Sequence, residues 1–450
     1  MKTSKLTNYR IRIISAALFL ALSQTLYGGQ KSSDKVCGIE TPRFFKTAIS
    51  KSEKSIESGC SQEMINSKAT SCKKSHDPEW VKTAINRSGK QLLAAAEAYK
   101  DSLKNPRTFE NGKVSLVDAK DWTSGFFPGS LWLMYELTQK EKFKTEAKRY
   151  TALLESAQYY KGTHDLGFIL YCSYGNGLRL TADSSYQKVM LNGAKSLMTR
   201  YNPKIGLIRS WDFNKEIWQY PVIIDNMMNL EFLLWASKIS GDKTMKTACI
   251  SHADKTMDNH YRADNSCFHV VDYDTISGNP RIKQTHQGYS DNSSWARGQA
   301  WGLYSYTMMY RETKDTKYLE QAQKIAAFIL NHPRLPEDKI PYWDFDAPNI
   351  PNEPRDASAA ALIASALIEL SLFVPQNSTY FATAETILKN LSSDKYLAAK
   401  GKNGFFVLMH STGNWPKKSE IDTPLNYADY YFLEALLRYK EHCTHIKPKA

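Results

Sequence analysis

Two aspartates stand where the chain enters predicted helices, and their positions suit acid–base chemistry. Asp165 lies in the run His-Asp-Leu-Gly-Phe, and Asp225 lies in the run Ile-Ile-Asp-Asn. A buried carboxyl, or one of two neighbouring carboxyls, has a raised pKa and can donate a proton near neutral pH. An aspartate at a helix start can instead accept backbone N–H groups as an N-cap, which lowers its pKa. The sequence leaves both roles open for each aspartate.

The densest polar and aromatic block runs from residue 285 to residue 302. Arg297 and Trp301 are four residues apart, so they share one face of a helix. Arginine offers a planar fork for a carboxylate or sulfate, and tryptophan offers a flat face for a sugar ring. The alternatives are a structural ion pair for Arg297 and a core position for Trp301. The neighbouring His286 and Gln287 favour a binding site.

The elements that must position these residues are helices. Helical periodicity predicts twelve of them, at about 79–103, 125–140, 143–160, 165–181, 184–201, 225–240, 243–262, 295–314, 316–330, 355–372, 377–395 and 424–440. Joined in pairs, they predict an all-α fold, an (α/α)6 barrel of six helical hairpins. A superhelical solenoid is the alternative, but the sequence has no fixed repeat. In a barrel, helix starts of one sense face one cavity, so the candidate residues would meet there.

The N-terminus has the pattern of a secretory signal peptide. Four basic residues precede an apolar run at 13–22, which is too short to span a bilayer. We therefore predict a periplasmic protein with residues 1–30 as signal peptide, 31–77 as an N-terminal extension and 78–450 as the catalytic barrel domain. We expect no membrane span and a monomer or weak dimer.

Seven cysteines are present, and three of them cluster before the barrel. A pair among Cys37, Cys60 and Cys72 could form a disulfide in an exported protein, which is a hypothesis. The cysteines lack the spacing of a metal site.

The net charge and the absence of several motifs limit the classes of function. The net charge of +13 suits an anionic partner, although a solvated basic surface explains it equally well. The basic residues are dispersed without a nucleic-acid module, so we expect no nucleic-acid partner. The sequence also lacks a Walker A motif, HExxH, GxSxG and a dinucleotide fingerprint.

Six stretches, in order between Trp122 and Arg438, resemble glycoside hydrolase family 88, the unsaturated glucuronyl hydrolases. They are SGFFPGSLWLMYE, HDLGF, IIDNMMNLEFLLWA, HQGYSDNSSWARGQAWG, YWDFDAP and DYYFLEALLR. Six motifs in order are far more specific than any one of them. The resemblance implies an (α/α)6 barrel. The unsaturated rhamnogalacturonyl hydrolases share this fold, but the fourth stretch is closer to the glucuronyl group.

The resemblance implies hydrolysis by hydration of a vinyl ether. The substrate would be the non-reducing-end Δ4,5-unsaturated glucuronic acid of lyase-generated glycosaminoglycan oligosaccharides, of chondroitin, hyaluronan or heparin type. The aspartate matching Asp225 would protonate C4 and take a proton from the water that adds at C5, and Asp165 would assist. No metal or cofactor is implied. The alternatives are an unsaturated rhamnogalacturonyl hydrolase, another (α/α)6 enzyme such as a two-carboxylate glycosidase or a polysaccharide lyase, and a non-catalytic periplasmic glycan-binding protein.

The resemblance also implies a set of substrate-binding residues, carried over position by position. They are His164, Phe127, Trp211, His269, Gln287, Trp295, Arg297 and Trp301. The family usually has tryptophan where Phe127 stands, and the smaller ring would stack less strongly on a sugar.

A basic loop at 410–418 borders the next sugar in relatives of this family. Lys417 and Lys418 in this loop would suit a sulfate on that sugar. The alternative for both lysines is a solvated basic loop.

Overall fold

A computed structural model describes residues 77–445 of the chain. The predicted signal peptide, almost all of the predicted extension and the three clustered cysteines lie outside the described residues, as do residues 446–450. The domain boundaries drawn from the sequence therefore stay predictions.

The described chain contains twelve helical segments. They are α1 (Glu79–Ala98), α2 (Phe126–Thr138), α3 (Glu141–Ala152), a π-helix (Gly167–Gly175) that continues into α4 (Asn176–Thr181), α5 (Ser184–Met198), α6 (Leu230–Ser240), α7 (Lys243–His260), α8 (Ala296–Thr313), α9 (Thr316–Asn331), α10 (Ala357–Phe373), α11 (Ser378–Leu391) and α12 (Asn426–His445). Short 3₁₀ helices cover Glu155–Tyr159, Ile224–Asn229 and Asn403–Phe405. The predicted helices agree with these bounds to within a few residues, except that the segment 143–160 is split and the first and last helices differ by about five residues at one end.

The helices form two layers. An inner ring consists of α2, the π-helix with α4, α6, α8, α10 and α12, and it closes where α12 packs on α2. Each inner helix pairs with an outer neighbour, as α8 does with α9 and α10 with α11. The predicted all-α fold, an (α/α)6 barrel, is confirmed.

Sequence patterns explain which helices are inside. Residues 357–371 of α10 are all buried, because this helix has small and apolar residues on every face. The outer helix α9 is amphipathic, and its buried residues recur every three or four positions: Tyr318, Gln321, Ala322, Ile325, Ala326 and Ile329. The outer layer thus buries one face, whereas α10 is enclosed.

Nine short strands that the helical periodicity does not predict lie in the described part of the chain. They are β1 (Asn105–Glu110), β2 (Lys113–Val117), β3 (Tyr201–Asn202), β4 (Leu207–Ile208), β5 (Pro221–Ile223), β6 (Val270–Tyr273), β7 (Pro280–Gln284), β8 (Ser411–Asn414) and β9 (Ser419–Thr423). They pair as β1–β2, β3–β4, β5–β6–β7 and β8–β9, all antiparallel. Every strand lies in a connector that leads from an outer to an inner helix.

The connectors at the other end of the barrel, which lead from an inner to an outer helix, include short turns. Three inner helices end at a residue with positive φ, which is followed at once by an aspartate that caps the next outer helix. The pairs are Ala182–Asp183, Gly241–Asp242 and Lys314–Asp315. Because these turns are short, the long connectors gather at the end where the inner helices begin.

Candidate active site

One three-stranded sheet brings the central residues together. Ile223 of β5 pairs with Val270 of β6, and Val270 pairs with Gln284 of β7. Asp225 follows the first of these positions by two residues, and His269 precedes the second by one. The register therefore places the carboxyl of Asp225 beside the imidazole of His269.

Asp225 is buried in the 3₁₀ turn that leads into α6, and only 7% of the residue is exposed. The pKa of Asp225 is raised to about 7, mainly by burial, and the nearby charge of Asp165 contributes to this rise. The positive charge of Arg297 and the indole N–H of Trp301 oppose this rise. The residue that caps the turn is Ile223, so Asp225 does not act as an N-cap. The carboxyl is suited to hold a proton near neutral pH.

His269 is a neutral side chain with a defined tautomer. Its Nδ1 atom accepts the backbone N–H groups of His286 and Gln287, each at 3.1 Å. The ring proton is therefore on Nε2, which lies 3.7 Å from Oδ2 of Asp225. Burial lowers the pKa of His269 well below its usual range, which keeps the ring uncharged. The ring presents a donor to the space in front of Asp225.

Asp165 is held at the start of the π-helix by its neighbours in sequence. The hydroxyl of Thr163 donates to Oδ2 of Asp165 at 2.6 Å. Nδ1 of His164 donates to the carbonyl of Ser210 at 3.0 Å, and its Nε2 lies 3.1 Å from Oδ1 of Asp165. Both side chains are buried, and the residue before the π-helix is Leu166, so Asp165 does not cap it.

Arg297, in the first turn of α8, is buried and joins three parts of the chain. Its guanidinium donates to Oδ2 of Asp356 at 2.7 Å and to the carbonyls of Thr412 and Gly413 at 2.6 Å each. The guanidinium also lies 4.6 Å from the ring centre of Trp295. Arg297 thus forms a structural ion pair, which is one of the two roles that the sequence allowed. Its positive charge also lowers the pKa of Asp225.

The tryptophans of the 285–302 block are buried beside these groups. Trp295 packs on His269, with ring centres 4.5 Å apart. Trp301 is completely buried and packs on Phe168 at 5.3 Å. The side-chain amide of Gln287 donates to the carbonyl of Gly413 at 3.1 Å, which joins this block to β8.

An aromatic wall adjoins His269, where the ring centre of Trp211 lies 5.9 Å from that of the imidazole. Trp211 stacks on Phe213 at 4.9 Å and packs on Trp218 at 5.3 Å and on His286 at 5.0 Å. Phe213 is 44% exposed, so part of its ring is open to a ligand. The Nζ atom of Lys417 lies 6.0 Å from the ring centre of Phe213. Lys417 is therefore at the rim of the site.

Asp344 fixes the loop that carries these groups. It is fully buried, and its Oδ2 accepts the backbone N–H of Tyr289 and the hydroxyl of Ser293, at 2.9 and 2.8 Å. Its Oδ1 accepts the N–H of Asp346 at 2.9 Å. The YWDFDAP motif therefore holds the HQGYSDNSSWARGQAWG motif in place.

The structure brings most of the predicted site residues together. Those around the two carboxyls are Asp165, Asp225, His164, His269, Gln287, Trp295, Arg297 and Trp301, with Trp211 and Lys417 in the adjoining wall. Lys418 is exposed in the turn between β8 and β9.

Phe127 lies elsewhere. It is buried between α2 and α3, where its ring meets that of Tyr150 edge-on at 4.7 Å. The preceding residue, Phe126, points the other way and packs on Phe168 and Tyr427. Phe127, where the family usually has tryptophan, therefore affects the packing between the inner and outer helices and not the sugar site.

Several supporting residues were missed. Phe213 could have been suggested by its two-residue spacing from Trp211, since alternate residues of an extended segment share a face. Thr163 is adjacent to the His-Asp pair. Asp356 and Asp344 carry no such signal, because their partners lie about fifty residues or more away in sequence.

The described residues contain no cluster of three or more histidine, cysteine, aspartate or glutamate side chains suited to a metal ion. Among the same residues, no helix has the length and apolar character needed to cross a membrane.

Comparisons with known proteins identify the family of this chain. A sequence model of Glycosyl Hydrolase Family 88 matches residues 97–442. An unsaturated glucuronyl hydrolase of Formosa agariphila is 53% identical over 326 residues, covering 72% of this chain and 81% of its own length. An unsaturated chondroitin disaccharide hydrolase of Streptococcus agalactiae is 33% identical over 370 residues, covering 80% and 91%. The crystal structure of an unsaturated glucuronyl hydrolase specific for heparin has a TM-score of 0.80 and 55% identity, covering 81% of this chain and 98% of that one.

Proposed function

The chain belongs to Glycosyl Hydrolase Family 88, and we propose that it works as an unsaturated glucuronyl hydrolase with Asp225 as the proton donor. The observation that carries this role is a buried carboxyl whose pKa is raised to about 7, beside a neutral histidine. Such an acid keeps its proton near neutral pH and can still release it to an enol ether.

The reaction removes the Δ4,5-unsaturated glucuronic acid from the non-reducing end of lyase-generated glycosaminoglycan oligosaccharides. Asp225 gives its proton to C4 of the sugar, and the double bond becomes a cation at C5 that the ring oxygen stabilises. Water adds at C5 and returns a proton to the Asp225 carboxylate. The resulting hemiketal opens and the glycosidic bond breaks, so no external oxidant or reductant is needed.

The surrounding side chains have separate tasks in this proposal. The carboxylate of Asp165 stabilises the positive charge that develops in the sugar. His269 donates from Nε2 to a substrate oxygen or to Asp225, and Trp211 offers a face for a sugar ring. Arg297 acts as a positioning residue, because its hydrogen bonds go to Asp356 and to β8.

The test follows the ultraviolet absorbance of the conjugated double bond. Native protein is mixed with unsaturated chondroitin, hyaluronan and heparin disaccharides, with the Asp225→Asn variant alongside. We expect the native protein to remove the absorbance and the variant to lose nearly all turnover. Asp258→Asn, an exposed aspartate on the outer helix α7, is the matched control and should be fully active. An active Asp225→Asn variant would contradict the assignment of the acid.

We also infer that Lys417 recognises an anionic group, such as a sulfate, on the sugar next to the uronic acid. Its support is the position of its ammonium group near Phe213 and its effect on His286, whose pKa is lowered to about 4 by burial and by the Lys417 charge. Lys417→Ser should raise KM for a sulfated disaccharide more than for an unsulfated one. Lys418→Ser tests the second predicted lysine, and exposed Lys400→Ser is the control. Equal effects on both disaccharides would refute the sulfate contact.

We further propose that the enzyme is exported to the periplasm and is a monomer or weak dimer. The basic residues and the apolar run at 13–22 support export. Fractionation of cells that produce the full chain, followed by N-terminal sequencing, should recover a shortened protein in the periplasm. A full-length protein in the cytoplasm would contradict export. Light scattering over a range of concentrations tests the oligomeric state.

A further inference from the structure

A second cavity of about 400 Å³ lies inside the barrel, below the active site. It runs between the π-helix with α4, α6, α8 and α12, toward the end with the short turns. Ala182 and Ser184 at its mouth are exposed, whereas the residues deep inside are buried. A small molecule could therefore enter from the face opposite the catalytic cleft.

A layer of side chains separates this cavity from the catalytic carboxyls. Phe168, Met228 and Tyr431 line the cavity. Phe168 and Tyr431 also pack on Trp301, at 5.3 and 5.6 Å between ring centres. Trp301 lies beside Asp225. The cavity is thus distinct from the active site and lies beneath its floor.

The lining offers aromatic faces and a tyrosine hydroxyl. Tyr171, Trp235, Tyr304 and Tyr431 contribute rings. Tyr431 is only 2% exposed, and its hydroxyl has no hydrogen-bond partner among the described residues. A hydroxyl that has no partner in the protein can hydrogen-bond to a molecule in the cavity. This group is available to a ligand.

The charge around the cavity is negative. Three carboxylates line it, from Glu231, Glu312 and Glu434. Of the two arginines in the lining, Arg179 makes a bidentate pair with Glu136, at 2.6 Å for both bonds. This leaves Arg311 as the main cation facing the three carboxylates.

The wider ion-pair network also has more carboxylates than guanidinium groups. Arg311 pairs with Glu231, Glu312 and Glu369, and Arg438 on α12 pairs with Glu369 and Glu434. Four carboxylates therefore share two guanidinium groups. Burial and the neighbouring glutamates raise the pKa of Glu231 to about 7, although Arg311 opposes this. A bound cation would relieve the repulsion.

We propose that this cavity binds a small organic cation, an ammonium ion with an apolar body, between the Glu231 carboxylate and the aromatic rings. Ammonium groups bind to aromatic faces through their electrostatic attraction to the ring. The carboxylates supply the charge, and the Tyr431 hydroxyl supplies a hydrogen-bond partner. An anionic or neutral ligand of the same size would lack these gains.

Isothermal titration calorimetry of the whole protein with choline tests the proposal. Its neutral isostere, 3,3-dimethylbutan-1-ol, has the same shape without the charge. We expect saturable binding of choline with a Kd of about 1 mM and no measurable binding of the alcohol. Absence of choline binding, or equal binding of the alcohol, would overturn the proposal.

Variants locate the bound choline. Glu231→Gln should weaken choline binding by about tenfold or more, because it removes the charge and keeps the side-chain shape. Tyr431→Phe gives a second measurement if Glu231→Gln does not fold, and should weaken binding about threefold. Exposed Glu320→Gln and active-site Asp225→Asn should bind choline as the native protein does. Loss of binding in Asp225→Asn, with Glu231→Gln unchanged, would move the ligand to the catalytic cleft and overturn the proposal.

Discussion

At the scale of single residues, the environment of Asp225 decides its chemistry. The side chain is an ordinary carboxyl, and its pKa would be near 4 in water. Burial raises that pKa to about 7, while Arg297 and the Trp301 indole limit the rise. The acid is therefore protonated below neutral pH, and it ionises within the range where the enzyme can still be assayed.

The Asp225→Asn variant should lose its activity and gain stability. Because the folded-state pKa of Asp225 is raised, the native protein is destabilised as pH rises from about 4 to about 7, and asparagine avoids this. At pH 8 we expect the variant to be inactive and more stable, by at most about 4 kcal/mol. Urea unfolding at pH 5 and pH 8 measures the difference, which should be smaller at pH 5. Equal stability at both pH values would contradict the raised pKa.

Asp165→Asn should move the titration of Asp225. The charge of Asp165 raises the pKa of Asp225, so its removal should lower that pKa, although burial is the larger cause of the rise. The alkaline fall in kcat/KM then occurs at lower pH. Carbon-13 NMR of the Asp225 carboxyl measures the same change without relying on residual activity. Asp258→Asn should leave the titration unchanged, and a rise in the pKa with Asp165→Asn would refute the coupling.

At the scale of elements, the sequence revealed the helices far better than the strands. Apolar residues at three- and four-residue spacing made α7, α8 and α9 visible. The strands are two to six residues long and owe their pairing to residues far away, as in β5 and β6. A local pattern cannot report such a partner.

The close approach of α2 to the π-helix requires a glycine at position 125. A Cβ atom on Gly125, just before α2, would collide with the backbone carbonyls of Phe168 and Ile169 and lie 2.7 Å from the Cα of Ile169. These atoms belong to the π-helix that follows Asp165. Backbone atoms cannot rotate away as a side chain can, so the two elements would have to separate.

Gly125→Ala should therefore destabilise the barrel and disturb the site together. We expect a loss of about 3 kcal/mol, the upper end for overpacking, with a fall in kcat. Gly112→Ala is the matched control, because Gly112 has open space around its Cβ position and only its φ of +76° makes the change unfavourable. That control should lose about 1 kcal/mol with full activity. Urea unfolding measures both losses, and equal losses would contradict the steric argument.

At the scale of the whole molecule, the site exists because the barrel closes. The two carboxyls come from the second and third inner helices, whereas Arg297 comes from the fourth and holds carbonyls that precede the sixth. The sequence predicted most of these residues individually and through six ordered motifs. It could not predict that Arg297 pairs with Asp356 or that Asp344 holds the loop, because those contacts depend on how distant connectors meet.

The packing of the last helix on its inner neighbours also depends on a buried charge. Arg438 of α12 pairs with Glu369 of α10 at 2.9 Å and donates to the hydroxyl of Tyr304 on α8 at 3.0 Å. Removing one partner of a buried ion pair leaves an uncompensated charge, which costs about 3–5 kcal/mol.

Arg438→Met keeps the length of the side chain and removes its charge, so it should lower the free energy of unfolding by that amount. Lys440→Met is the control, because Lys440 pairs with Asp77 near the surface and such pairs contribute about 0–1 kcal/mol. Urea unfolding of both variants at pH 7 measures the two losses. Similar losses would mean that this network does not stabilise the packing of α12 on α10 and α8. A large loss for Arg438→Met alone would show that the last helix stabilises the ring on which the distant active site is assembled.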